Sequence, residues 1–199
     1  AACSGCHGGA VTPEQNGWLT GLTPERPDLE FRIGPCGAAP GPCFLTRPRN
    51  LTPDNTTGLG RFSERQIFNA LRYGLRPGET ADVEITGSTP GVGNFPAEPK
   101  YLAVPMPWPQ YRHMTDADIR AVAAYLKRGV KPVRNRVPDS EGPPDFWRSY
   151  YVADTVGAYP LPPFPAAGER MPDRGEVDMP TLLRGREIAI TRVCGDCHG

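Results

Sequence analysis

A five-residue motif, Cys-x-x-Cys-His, stands near both ends of this 199-residue chain. The first copy is CSGCH at residues 3–7, and the second is CGDCH at residues 194–198. The chain has 3 histidines, and two of them directly follow a Cys-x-x-Cys pair. This pattern is typical of covalent haem attachment, in which both cysteines bond the porphyrin and the histidine binds the iron. The repeated motif constrains the fold more than any other feature of the sequence.

The spacing within the motif fits the contacts that a covalently held haem needs. Two cysteines three positions apart on a helical turn share one face, so each thiol can add to one of the two vinyl groups. A zinc site built from both cysteine pairs and a redox dithiol are the alternatives, but neither accounts for the paired histidines. The residues predicted to hold two haems c with their iron atoms are Cys3, Cys6 and His7 for the first, and Cys194, Cys197 and His198 for the second.

The sixth iron ligand of the first haem is predicted to be the thioether of Met106. This residue lies between two prolines and ahead of a predicted helix, so the loop can hold the ligand still. A thioether ligand raises the reduction potential of a haem and suits electron transfer. His113 and Met114 are the alternatives for the first haem. The second haem has no assigned distal ligand, and its candidates are Met179, Met171 and His113.

Two further cysteines, Cys36 and Cys43, lie in a short loop rich in glycine and proline. We expect them to form a disulfide, with two free thiols as the alternative. A disulfide requires an oxidising compartment, and haem attachment to this motif takes place outside the cytoplasm in bacteria. Both arguments predict a periplasmic or extracellular protein.

The charge balance argues against binding to nucleic acid or to an anionic membrane surface, and the hydropathy argues against a membrane span. The chain has 22 basic and 22 acidic residues, so no net field attracts it to nucleic acid or to an anionic membrane surface. No apolar run reaches the roughly 18 residues that a membrane span requires. We therefore predict no nucleic acid partner and no membrane span in this chain.

Three helices are predicted, separated by chain rich in proline and glycine. Ser63 and Gln66 form a capping box for the first, which ends at Gly74. Thr115 caps the second, which ends at Gly129. The third begins at residue 180 or 181 and leads into the second motif, whereas the rest of residues 1–45 is predicted to be loops. The predicted apolar faces of the first two helices are formed by Ile67, Phe68 and Leu71, and by Ile119, Val122, Ala123 and Leu126.

The segments CSGCHGG, NLTPDNTTGLGRFSERQIFNALRYG and PMPWPQYRHMTDADIRAVAAYLKRG together resemble class I cytochrome c. More narrowly, they resemble one haem domain of the multi-haem cytochrome subunits that serve membrane dehydrogenases. The resemblance covers residues 3–129, and Met106 matches the methionine ligand of that family by position. It implies a mainly α fold with histidine–methionine ligation, and electron transfer between redox partner proteins without substrate chemistry.

This resemblance divides the chain into three parts. Residues 1–132 form the first haem domain, with long Pro/Gly-rich loops. Residues 133–179 form a Pro-rich linker whose aromatic residues predict that it packs on the surface. Residues 180–199 form the leading helix and attachment motif of a second unit. A helix over 181–193 could pack against residues 121–126, but its motif would then compete for the place of the first, which disfavours this arrangement.

The second unit leaves several interpretations open. The chain is the ordered part of a longer multi-haem protein, or a neighbouring chain completes the second pocket, or residues 134–180 wrap the second haem. The leading interpretation of function is an electron carrier with two covalent haems. The alternatives are a polymeric or multi-chain cytochrome whose second pocket another chain completes, and a di-haem peroxidase or thiosulfate-oxidising cytochrome, which needs an open or labile sixth site on one haem. Arginines cluster between residues 47 and 76, where a solvated surface and the binding of haem propionates are the alternatives.

Overall fold

A computed structural model describes residues 2–8, 12–36, 43–142, 146–152 and 156–192 of the protein. Helices predominate among the elements of these ranges, as predicted, and they are accompanied by one small sheet. The helices are α1 (Ala2–His7), α2 (Glu64–Tyr73), α3 (Trp108–Tyr111), α4 (Asp116–Ala124), α5 (Phe146–Tyr150) and α6 (Met179–Thr191). The strands are β1 (Phe31–Ile33) and β2 (Phe44–Thr46), and short 3-10 turns occupy Pro27–Leu29 and Leu59–Arg61.

Helix α2 begins and ends where the sequence predicts. The Ser63 hydroxyl accepts a hydrogen bond of 3.0 Å from the backbone N–H of Gln66, whose side chain accepts one of 3.1 Å from the N–H of Ser63. Gly74 ends the helix with a left-handed φ of 70°. A Cβ atom at this position would lie 2.2 Å from the Trp108 ring. Glycine is therefore required here by both backbone conformation and close packing.

Helix α4 has the predicted N-terminal cap, but its α-helical part ends before the predicted Gly129. The Thr115 hydroxyl accepts a hydrogen bond of 3.1 Å from the N–H of Asp118. The α-helical part ends at Ala124, and a π-helical turn covers Tyr125–Gly129. Within that turn, the Lys127 ammonium donates to the carbonyls of residues 59, 60 and 62 at 3.3, 2.8 and 2.7 Å. This contact ties the end of the helix to the turn that precedes α2.

The main hydrophobic core lies between α2 and α4, and the predicted apolar faces of both helices enter it. Ile119 and Ala123 are 0% and 1% exposed. Phe68 and Val122 pack against the core while remaining partly exposed. The buried members of this main core are Leu19, Ile67, Leu71, Tyr111, Ile119, Ala123, Leu126 and Val130.

The sheet differs from the sequence-based prediction, which assigns loops to residues 1–45 beyond the motif. Strands β1 and β2 are antiparallel, with Phe31 opposite Thr46. Three-residue strands are too short to show the alternation by which a strand is recognised in a sequence. The Arg47 guanidinium stabilises this region through ion pairs of 2.7 Å with Glu30 and Glu141. Cys36 and Cys43 are joined by a disulfide between the two strands.

The segment between α4 and α6 packs on the rest of the protein. Tyr151 is 8% exposed and lies in a second apolar cluster with Phe44 and Trp108. The Asp178 carboxylate caps α6 by accepting a hydrogen bond of 3.0 Å from the N–H of Thr181. Among the described helices, none combines the length and the apolarity that crossing a bilayer requires. The three-part division of the chain stays a prediction.

The contrast between two isoleucines tests where the core lies. Ile119 on α4 is 0% exposed, whereas Ile188 on α6 is 44% exposed. We expect Ile119→Ala to lower the free energy of unfolding by about 2–5 kcal/mol, since it removes a buried side chain and leaves a cavity. The matched variant Ile188→Ala should cost less than about 1 kcal/mol. Equal losses in chemical denaturation would contradict the packing described here.

Candidate haem site

Helix α1 carries the first attachment motif, so the helical turn brings the two cysteines to one side. Cys3 and Cys6 are free thiols, both partly buried, and Cys3 packs against the main core. Desolvation raises the pKa of both thiols above the ordinary value. Both side chains are therefore neutral thiols at neutral pH.

His7 is held by a hydrogen bond to the backbone of a distant segment. Its Nδ1 lies 2.8 Å from the carbonyl oxygen of Arg49, and because a carbonyl only accepts, Nδ1 carries the proton. The Nε2 lone pair is thereby left for a metal ion, in the tautomer that metal-binding histidines adopt. Desolvation lowers the pKa of His7, although the Arg49 carbonyl acts in the opposite direction. The imidazole is therefore neutral at neutral pH, as ligation requires.

The segment that presents the Arg49 carbonyl is itself anchored by buried polar side chains. Asn50 is 1% exposed, and its amide donates hydrogen bonds to the Val133 carbonyl at 2.8 Å and the Thr57 hydroxyl at 3.1 Å. Thr52 is 0% exposed, and its hydroxyl exchanges hydrogen bonds of 3.1 and 3.0 Å with the carbonyl and N–H of Val133. These contacts fix residues 49–52 against the chain that follows α4.

Sequence reasoning identified this stretch as a turn but missed its role. The Asp54 carboxylate organises the turn by accepting hydrogen bonds from the backbone and hydroxyl of Thr57 at 2.6 and 2.8 Å. The density of Asn, Thr and Asp in residues 50–57 was the available signal, because such side chains bond nearby backbone. The sequence did not reveal that the turn is buried or that it supports the ligand histidine.

Met106 packs against the same main core as Cys3. Its loop is fixed by backbone hydrogen bonds from the Met106 N–H to the Ala103 carbonyl at 2.9 Å and from the Trp108 N–H to the Met106 carbonyl at 2.8 Å. Met114 packs against the same core. The donor set of two thiols, a neutral imidazole and a core-facing thioether fits a covalently attached haem with histidine–methionine ligation.

His113 lies in a different environment. Its ring centroid is 5.8 Å from that of Tyr159. Burial, followed by the positive charges of Arg112, Arg72 and Arg186, lowers the pKa of His113 to about 4. Its neighbours are therefore arginines and an aromatic ring rather than the thiols of the motif.

The second motif lies outside the described residues, so its cysteines and His198 remain a prediction. Of the distal candidates for it, Met171 is 55% exposed and Met179 is the first residue of α6. Within the described ranges, no group of three or more His, Cys, Asp or Glu side chains could hold a metal ion.

Helix α6 faces α4 across a cavity of about 330 Å³. Val122 and Tyr125 line one side of the cavity, and Ile188 and Arg192 line the other. Desolvation raises the pKa of Cys3, and the charge of Arg192, the residue that follows α6, acts in the opposite direction. This is the face that competition between the two motifs had disfavoured. The described part of α6 ends at Thr191, before Cys194.

The clustered arginines mostly pair with carboxylates of this chain. Arg61 instead lies over the Phe62 ring. The ion pairs join Arg47 to Glu30 and Glu141, Arg49 to Asp139, Arg65 to Asp82, Arg72 to Asp116 and Arg76 to Glu79. The pairs of Arg47 with Glu141, Arg49 with Asp139 and Arg72 with Asp116 connect segments that are distant in sequence.

Comparison with known proteins finds relatives in one functional class. The chain is 31% identical over 159 residues to the gluconate 2-dehydrogenase cytochrome c subunit of Pantoea cypripedii, a match that covers 75% of this chain and 28% of the relative. It is 28% identical over 158 residues to the cytochrome c subunit of the quinone-type alcohol dehydrogenase of Gluconobacter oxydans, covering 75% and 26%. The fructose dehydrogenase cytochrome subunit of Gluconobacter japonicus is 33% identical over 94 residues, covering 47% and 15%.

The chain is homologous to the cytochrome c subunits of dehydrogenases. The resemblance stated from the sequence is thereby confirmed. The helical architecture is consistent with a cytochrome c fold. No protein-family model matches the chain. The match covers little more than a quarter of the first two relatives, so the chain corresponds to only a part of such a subunit.

Two asparagines test the anchor behind the ligand histidine. We expect Asn50→Ala to lower the free energy of unfolding by about 1–3 kcal/mol, because it removes the acceptor of the buried Thr52 N–H, at 2.9 Å, as well as one of the two donors to the Val133 carbonyl. Asn55→Ala, in the exposed part of the same turn, should change it by less than about 0.5 kcal/mol. Denaturation curves of the two variants supply the comparison, and similar stabilities would contradict the anchoring role.

Proposed function

We propose that this chain transfers electrons as part of a c-type cytochrome, with one haem c held by Cys3, Cys6, His7 and Met106. The observation that carries the proposal is the hydrogen bond of 2.8 Å between His7 Nδ1 and the Arg49 carbonyl. It selects the neutral tautomer with Nε2 available, directly after two free thiols on the same helix. The relationship to cytochrome c subunits of dehydrogenases supports the same conclusion.

Each protein group has a separate task at this site. A bound haem supplies the one-electron couple of its iron. The two cysteines fix the porphyrin edge to α1, and the Arg49 carbonyl holds the His7 ring in one orientation. The thioether of Met106 completes the ligand set from a loop braced by Pro105 and Pro107. The main core excludes water, which favours a high reduction potential.

The second motif extends the proposal to a second haem. Cys194, Cys197 and His198 repeat the attachment pattern, and α6 leads directly to them. In this proposal electrons enter at one haem and leave from the other, so the chain relays them between two redox partners. Because the relatives are named as subunits of dehydrogenases, we propose a dehydrogenase as the donor and a further redox protein as the acceptor.

The proposed location is outside the cytoplasm. The Cys36–Cys43 disulfide supports this assignment, since such bonds persist in oxidising compartments. The attachment motifs support it independently.

Paired cysteine variants test the number of haems. Intact mass should exceed that of the apoprotein by two haems in the wild type, and by one haem when Cys3 and Cys6 are both replaced by serine. Replacing Cys194 and Cys197 together should likewise leave one haem. The control replaces Cys36 and Cys43, which should retain both haems. A wild type with no covalent haem would refute the proposed function, and one with a single haem would refute the relay.

Two methionines on the same core test the distal ligand. Met106→Leu should lower the reduction potential of one haem by on the order of 0.1 V and remove the spectral signature of thioether ligation. Met114→Leu replaces a methionine that packs against the same core, and it should leave both properties unchanged. The opposite pattern in a potentiometric titration would assign the ligand to Met114.

A further inference from the structure

A second cavity, of about 280 Å³, lies at the beginning of α4 and is lined by Arg72, Arg112, His113, Asp116 and Tyr159. None of the assigned haem ligands lines it, although the alternative candidates His113 and Met114 do. The proposed electron transfer does not use this cavity. Two of its lining residues are buried arginines, with Arg72 4% and Arg112 7% exposed. The two guanidinium groups have very different surroundings, and this difference carries the inference.

Arg72 has oxygen acceptors within the protein. Its guanidinium donates to the Asp116 carboxylate at 2.5 Å and to the backbone carbonyl of Arg112. The Asp116 carboxylate therefore compensates the charge of Arg72. This pair also joins the end of α2 to the beginning of α4, so its role is structural.

No carboxylate of the described residues pairs with Arg112. Its Nε atom is fully buried and has no hydrogen-bond acceptor among the residues that the structure describes. Its guanidinium carbon lies 4.3 Å from the centroid of the Tyr159 ring and 5.6 Å from that of the Trp108 ring. Aromatic faces attract a cation but do not replace an oxygen acceptor for an N–H group in the guanidinium plane. A buried N–H donor on an uncompensated charge lowers the stability of the fold unless a ligand accepts its hydrogen bond.

The charges around the cavity select the ligand. Arg72 and Asp116 offset each other, and His113 is neutral at neutral pH, so Arg112 supplies the net charge of +1. A monoanion balances this charge, whereas a dianion would also face the Asp116 carboxylate. The planar N–H fork of a guanidinium matches the two oxygens of a carboxylate in a bidentate pair.

We propose that this cavity binds a small carboxylate anion through the guanidinium of Arg112. The Tyr159 ring, which the segment after α5 contributes, covers the guanidinium beside the bound anion. The positive end of the α4 dipole, at Thr115 and Asp116, adds to the attraction. The site differs from the haem site in both its residues and its ligand.

Acetate is the probe, added to the haem-loaded protein in place of chloride at constant ionic strength. We expect the thermal unfolding midpoint of the wild type to rise with acetate and to saturate, and calorimetric titration to give one site. Arg112→Gln should bind acetate at least tenfold more weakly. The matched control, Arg128→Gln, changes an arginine whose side chain is 71% exposed, and it should bind acetate like the wild type.

The stability of Arg112→Gln without acetate separates a binding role from a structural one. If the role of Arg112 is to bind a ligand, Arg112→Gln should be at least as stable as the wild type in chloride. In acetate it should be less stable than the wild type. A structural role predicts the same loss in both buffers, which would overturn the proposal. Should this variant fail to fold, Arg112→Lys, which lacks the fork, must bind acetate several-fold more weakly than the wild type.

Inorganic phosphate provides the second arm of the experiment. Tighter binding of phosphate than of acetate would overturn the assignment to a carboxylate. The absence of saturable binding in the wild type would overturn the site itself. Neither result bears on haem attachment, because the reduced spectrum of the same samples reports that separately.

Discussion

The hydrogen bond from His7 Nδ1 to the Arg49 carbonyl is the interaction on which the candidate haem site depends. It joins the beginning of the chain to a turn more than forty residues later. A second contact, from the Gly21 N–H to the His7 carbonyl at 2.9 Å, holds the backbone of the same residue. The imidazole thus has a fixed tautomer and a fixed main chain. A ligand constrained in this way loses little conformational freedom on binding iron, so the folded chain preorganises it.

The turn that presents the carbonyl is anchored by hydrogen bonds from buried side chains. Asn50 and Thr52 are almost completely buried, and both bond to Val133, which lies beyond the last helix of the main core. Asn135 continues the connection by donating to the carbonyls of Thr20 and Leu22 at 2.7 and 2.9 Å. Three segments distant in sequence therefore meet in one polar network behind the ligand. An unpaired polar group in such a network would be unfavourable, because it is buried. The complete set of hydrogen bonds therefore favours one arrangement of the loops.

Features that depend on residues close together in sequence could be predicted from the sequence. Contacts with backbone groups far away in sequence could not. The attachment motif, the capping box at Ser63 and the apolar face around Ile119 are all encoded within a few positions. The Arg49 carbonyl is not, because every residue has a carbonyl and nothing in its side chain indicates which one meets an imidazole. The two short strands were missed for a similar reason, since Arg47 and its ion pairs stabilise them from outside their own residues.

The pair Arg72 and Arg112 shows why burial alone does not define the role of a charged residue. Both residues are more than nine-tenths buried; Arg72 lies at the end of α2, and Arg112 follows α3. Arg72 forms an ion pair with Asp116, the first residue of α4, and this pair joins α2 to α4. Among the described residues, the Arg112 guanidinium lies over the rings of Tyr159 and Trp108, which lower the cost of its charge, and its Nε atom has no acceptor. The aromatic rings stabilise the cation, but the Arg112 Nε–H has no acceptor among these residues. In the proposed complex, an oxygen atom of the bound carboxylate accepts this hydrogen bond.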